Sequence, residues 1–109
     1  MAKSTARLEL EQGCEFEDQG QFRLAIKHYL RAATLGSPEA QVNLANLYDE
    51  GKGGKKNLEQ AVYWYKRAIK LGCPEAANNL GQHYRQLGNL RWARYWFERA
   101  AQMGYERPD

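Results

Sequence analysis

The chain has 109 residues, 43% hydrophobic and 27% charged, with thirteen aromatic side chains, enough for one compact domain and too apolar for a disordered chain. Sixteen Lys and Arg against thirteen Asp and Glu leave a net charge of +3, far short of a strongly basic nucleic-acid binder. No run approaches the roughly 18 apolar residues of a membrane span, and Met1-Ala2-Lys3-Ser4 has no apolar secretory segment. Two cysteines, Cys14 and Cys73, build neither a disulfide framework nor a four-ligand zinc site. A soluble protein of a reducing compartment, the cytoplasm, is the expectation.

The sequence repeats itself. Ala25, Ala61 and Ala93 are separated by 36 and then 32 residues; Tyr29, Tyr65 and Phe97 keep those intervals, as do Gly36, Gly72 and Gly104. A second set, Gly13, Ala45 and Gly81, runs at 32 and then 36, and Phe16, Tyr48 and Tyr84 follow it. Three units result, 5–36, 37–72 and 73–104, with short tails at 1–4 and 105–109. The middle unit owes its extra length to Gly51-Lys52-Gly53-Gly54-Lys55-Lys56.

Each unit predicts two helices. The first unit divides into 5–19 and 20–35. In the second, Ser37-Pro38-Glu39 supplies a cap, a proline for the first helical position and an acid for the first turn of a helix over 37–50. Asn57 then caps a helix over 57–71, which carries Ala61, Tyr65 and Ala68 before Gly72. The third unit repeats the scheme over 73–87 and 89–103. Sustained period-two alternation is missing from the sequence, so no strands are expected. Small residues at fixed places let helices approach closely while large aromatics fill the neighbouring gaps. The expected fold is all-α, an alpha-solenoid of three antiparallel helix-pair repeats.

The alanine–aromatic–alanine spacing of the second helices, with a small residue and an aromatic in the first, resembles the tetratricopeptide pattern. The middle unit, with Leu47-Tyr48-Asp49-Glu50-Gly51-Lys52-Gly53, then Asn57, Ala61, Trp64-Tyr65, Arg67-Ala68 and Gly72, is similar to the Sel-one-like repeat. That relative has a longer glycine-bearing loop between its helices. Gly54 and Asn57 depart from its usual Val and Asp, and the outer units have the shorter, tetratricopeptide-like link. The resemblance implies a right-handed superhelical stack and adaptor or scaffold work, with no chemistry of its own.

Catalytic signals are lacking. No HExxH, GxSxG or cysteine pair at ligand spacing occurs, so neither cofactor, metal nor catalytic residue is expected. His28 and His83 are read as surface or groove residues, Cys14 as a small groove residue and Cys73 as a helix-start residue. The Gly-Lys run lacks the order of a phosphate loop and reads as a solvated turn.

Charge sorts by helix. The first helices of the units carry two basic against nine acidic residues, and the second helices nine against two. In tetratricopeptide-like stacks the first helices line a concave groove. Carried over by position, that groove comprises Arg7, Leu10, Cys14, Glu17 and Asp18, then Glu39, Val42, Asn43, Asn46, Asp49 and Glu50, then Glu75, Asn78, Asn79, Gln82, Arg85 and Gln86. Its acidity suits a protein or peptide partner with a basic segment. In groove-binding relatives an asparagine at the position of Asn43 and Asn79 can bond a peptide backbone; bonding a neighbouring helix is the alternative. Glu39 and Glu75 stand where a clamp for acidic tails would need positive charge, so such tails are disfavoured.

With no polar capping helix expected after the third unit, Trp92, Trp96 and Met103 form a candidate uncovered edge for a second copy or a partner protein. Self-assembly through this helix, and weak nucleic-acid or anionic-surface binding through Arg91, Arg94, Arg99 and the loop lysines, are the competing readings.

Overall fold

The computed structural model describes residues 4–106; the rest of both tails, including Met1-Ala2-Lys3 of the expected leaderless start, lies outside the described residues. Six α-helices follow one another: α1 (Thr5–Asp18), α2 (Phe22–Thr34), α3 (Pro38–Glu50), α4 (Leu58–Lys70), α5 (Pro74–Gln86) and α6 (Leu90–Gln102). They agree with the sequence expectation to within one or two residues at each end, and no strand occurs among the described residues.

Local chemistry sets the helix starts. The hydroxyls of Ser4 and Ser37 accept the backbone N–H groups of Arg7 and Ala40, and the side-chain oxygens of Asn57 and Asn89 accept those of Gln60 and Trp92. Pro38 and Pro74 sit in the first turns of α3 and α5, where a missing N–H costs nothing. Cys73 occupies a cap position without making a side-chain cap bond.

Each odd helix packs against the even helix that follows it, and each pair stacks on the next. Ala25, Ala32, Ala61, Ala68 and Ala100 are almost fully buried, as are Tyr29 and Tyr65, which fill the space those small residues leave. The approach is tightest at Gly13 and Gly81. A Cβ there would lie 2.4 Å from the Tyr29 ring and 2.7 Å from the Phe97 ring, so the repeat needs a glycine where these aromatics cross.

The glycine-lysine loop is a largely exposed turn, with Lys52, Gly54, Lys55 and Lys56 in solvent, yet it also makes a long-range contact. Gly53, at φ +83°, rests on Phe22 and Ile26 of the first repeat, and the Lys52 ammonium lies 5.3 Å from the centroid of the Phe22 ring. The additional residues of the middle repeat therefore fasten it to the repeat before.

α3 also packs directly on α5, whereas no comparable contact joins α2 to α4 or α4 to α6. With the side-chain bonds from Asn43 to Cys14 and from Asn79 to Asn46, the first helices thus form one layer of the stack, taken as its inner face, and the second helices the other.

Candidate functional site

Repeat equivalence puts the inner-face residues in rows. Cys14, Asn46 and Gln82 form one, Glu11, Asn43 and Asn79 another, and Glu17, Asp49 and Arg85 a third. Between α3 and α5 these rows open into a cavity of about 440 Å³, lined by Asn46, Asp49, Glu50, Asn79, Gln82 and Gln86, with Tyr65 and Lys56 from the following helix and loop.

Hydrogen bonds fix this lining. The Tyr65 hydroxyl donates to Asn46 Oδ1 at 2.5 Å, and Asn79 Nδ2 donates to the same oxygen at 3.3 Å. One repeat earlier Asn43 Nδ2 donates to Cys14 Sγ at 4.0 Å. Both asparagines of that row therefore bond the preceding repeat. Tyr65 is 2% exposed, and burial, reinforced by the charges of Asp49 and Glu50, pushes its hydroxyl well above the ordinary tyrosine range. It stays neutral and donates. Tyr29 is raised too, by burial first and then by its bonds with Cys14 and Glu17.

The acidic residues divide into two kinds. Asp49 Oδ1 lies 2.7 Å from His83 Nδ1, Glu50 lies 3.1 Å from Lys52 Nζ, and Glu17 accepts the Tyr29 hydroxyl at 2.6 Å. Asp18, Glu39 and Glu75 are exposed and make no ion pair among the described residues. Asp49 and Glu50, which the sequence marks as the centre of negative charge, are thus each engaged, Asp49 by a hydrogen bond with the His83 ring and Glu50 by the Lys52 ammonium.

Several expectations need correction. Asn78 is 4% exposed and belongs to the core, as do Val42 and Leu10 of the same row at 3% and 6%, so none of them faces the groove. His83, expected at the surface or in the groove, is buried against Asp49. His28 is half-buried, 2.6 Å from Glu9 and stacked on Phe16. Glu17, Asp18, Glu39, Asn43, Asn46, Asp49, Glu50, Asn79, Gln82 and Arg85 all remain at least partly exposed. At the expected edge, Trp96 and Met103 pack against the core, while Trp92 is 47% exposed beside an equally exposed Tyr95.

Sequence reasoning missed Tyr65 as the floor of the cavity and Lys56 as part of its rim. The signal for Tyr65 was its hydroxyl: a buried tyrosine, unlike the equivalent Phe97, needs a polar partner. Among the described residues no group of three or more His, Cys, Asp or Glu side chains could hold a metal ion, and no helix is long and apolar enough to cross a membrane.

A stack of antiparallel helix pairs with a polar inner cleft defines the class: a helical-repeat alpha-solenoid. Within that class, the chain belongs to the Sel1 repeat family, which matches residues 18–37 and 38–73. The Tetratricopeptide repeat matches residues 65–108. These repeats are generally protein–protein interaction modules and typically non-catalytic scaffolds. No curated protein matches significantly.

Among solved structures, the chain is similar to a protective antigen of uropathogenic Escherichia coli with an SLR fold, at 28% identity and a TM-score of 0.80. That match covers 92% of this chain but 23% of the antigen, so the chain spans about a quarter of that relative's length. A Sel1 repeat protein from Oxalobacter formigenes is 29% identical with a TM-score of 0.73, covering 93% of this chain and 82% of that one. The N-terminal domain of stress-induced protein-1 from C. elegans shares the fold at 21% identity and a TM-score of 0.78, over 96% of this chain and 91% of that domain.

Proposed function

We propose that the chain is a non-catalytic adaptor whose inner cleft binds an extended segment of a partner protein. The observation that carries this reading is the cavity between α3 and α5, where amide side chains of Asn46, Asn79, Gln82 and Gln86 meet the carboxylates of Asp49 and Glu50. Amides offer donors and acceptors together, which suits a peptide backbone with its alternating N–H and C=O groups. The second oxygen of Asp49 and the exposed Glu50 give the segment a place for a Lys or Arg side chain, and Asp18, Glu39 and Glu75 extend the negative field along the inner face.

Gln82 and Glu50 are the informative positions because both are exposed and neither holds the repeats together. The test is selection of a random-peptide library on the immobilised protein, followed by titration of the selected peptides against wild type and the Gln82→Ala, Glu50→Lys double variant. The expected result is peptides rich in Lys or Arg whose Kd rises about tenfold or more in the variant, at unchanged melting temperature. Peptides bound equally by both proteins remove the cleft from the reading.

A further inference from the structure

The two ends of the stack are unlike its two internal joints. Leu8, Gln12 and Glu15 lie at i, i+4 and i+7 on α1 and are exposed, Leu8 by 50%. Their equivalents in the second repeat are Ala40, Leu44 and Leu47, and in the third Ala76, Leu80 and His83; all six are buried. The second and third repeats have a repeat before them and the first has none among the described residues. At the other end the pattern reverses. Ala33 and Ile69 are buried where Ala101 is exposed, Tyr29 and Tyr65 are buried where Phe97 is half-buried, and Leu90 is 68% exposed.

The internal joints show what crosses between repeats. Cys14 meets Asn43 at the first joint, and Asn46 meets Asn79, its exact repeat equivalent, at the second. Asp49 meets His83 at the second joint as well. Carried one repeat further, the same two positions would pair Gln82 with Glu11 and Arg85 with Glu15 on an incoming first helix. Each is a donor facing a carboxylate. The second places a cation and a carboxylate where the second joint has the Asp49–His83 hydrogen bond, with the acid now on the incoming helix. Glu11 is already paired with Arg7 on its own helix at 3.4 Å, so the pair with Glu15, which is exposed, is the one an incoming α1 would complete.

We propose that a second copy of this chain docks head-to-tail, the outward face of its α1 on the open end formed by α5 and α6, with Arg85 of one copy facing Glu15 of the next. Leu8, Leu90, Phe97 and Ala101 supply the apolar area. Gln12 and Glu15, standing where the internal joints have Leu44 and Leu47, make the contact more polar than an internal joint and therefore weaker and salt-sensitive. The contact is heterologous, so it adds copies in line and does not close at two. Gln82 also lines the cleft, but Arg85 and Glu15 do not, so changes at those two positions test the docking apart from the peptide reading.

The experiment is sedimentation velocity of the protein alone from about 10 μM to about 1 mM, at low and high salt. The wild type is expected to rise above its 12.6 kDa monomer mass with concentration and to fall back with salt. Glu15→Arg and Arg85→Glu should each weaken association about tenfold. The double variant carrying both changes should restore it, as should mixing the two single variants. Both positions are exposed, and an unchanged helical circular dichroism signal verifies folding; Arg85→Gln is the milder change at the same position. A wild type that stays monomeric throughout overturns the proposal. So does association that survives both single reversals, or that the charge swap fails to restore.

Discussion

His83 Nδ1 lies 2.7 Å from Asp49 Oδ1, and this pair ties α5 to α3 across the joint between the second and third repeats. His83 occupies the position of Leu47 in the preceding repeat and is only 3% exposed, so a polar ring stands in an otherwise apolar position with one carboxylate to satisfy it. Removing the carboxylate strands the ring. Asp49→Ala is expected to destabilise the fold by about 2 kcal/mol, the cost of an unpartnered buried polar group. His83→Leu, which installs the residue of the equivalent position, should cost less, because the carboxylate it leaves behind has more access to water (17% against 3% for the ring). Urea unfolding of the two variants measures both; a larger loss for His83→Leu than for Asp49→Ala would contradict the assignment. For the same reason Asp49→Lys is a poor probe of the cleft, because it disrupts the joint before it can report on a ligand.

Gly81 is a second point of sensitivity. Its missing Cβ would sit 2.7 Å from Phe97 Cδ1 and 2.8 Å from Cε1, closer than real carbon atoms pack. Alanine improves intrinsic helix propensity by about 1 kcal/mol, yet the ring must move to admit it. Overpacking of this kind costs about 1–3 kcal/mol, so Gly81→Ala should lower stability on balance. Phe97→Leu in the same chain should recover part of the loss, which a double-mutant cycle of thermal melts would register as non-additivity.

These two positions also mark how far sequence alone reaches. The helices were legible because caps, prolines and glycines punctuate them, and the repeat register follows from Ala25, Ala61 and Ala93. The same register already aligned His83 with Leu47 and Asn78 with Leu10 and Val42. Their polarity argued for exposure, but the apolar row they belong to decided their burial. The row predicts position; the side chain predicts only preference. Other features were out of reach. Gly53 rests on Phe22 and Ile26, far back in the chain, and no local pattern announces that contact. Asp49 and Glu50 counted as free negative charge because a sequence does not show that His83 and Lys52 approach them.

Tyr29 and Tyr65 give the fold a particular response to alkali. Burial raises both hydroxyls above their ordinary value, while the unfolded chain releases those protons near pH 10 or so. Above that pH the unfolded state binds fewer protons than the folded state, so stability falls as pH rises; below it this contribution is fully present. Unfolding midpoints in urea should therefore hold steady around pH 8–9 and decline above about 10. Tyr65→Phe should cost about 1 kcal/mol at neutral pH through the lost bond to Asn46 and should make the alkaline decline shallower. An unchanged decline would mean that other groups carry it.

Gln41 Oε1 and Trp64 Nε1 are both buried and both lack a partner among the described residues. Their repeat equivalents in the first unit are Glu9 and His28, which hold each other at 2.6 Å. The second unit thus keeps the acceptor and the donor of that pair without the bond between them, and Gln41 turns its Nε2 to the Ala33 carbonyl instead. Transplanting the pair tests whether the positions are interchangeable. Gln41→Glu alone buries a carboxylate beside an indole, and Trp64→His alone exchanges a large ring for a smaller one, so each should destabilise by about 2 kcal/mol or more. Together they can form the charge-assisted bond seen in the first repeat, and their combined cost should fall short of the sum by about 1–3 kcal/mol. Strict additivity would show that the first repeat's pair depends on surroundings, such as the Phe16 ring stacked on His28, that the second repeat does not reproduce.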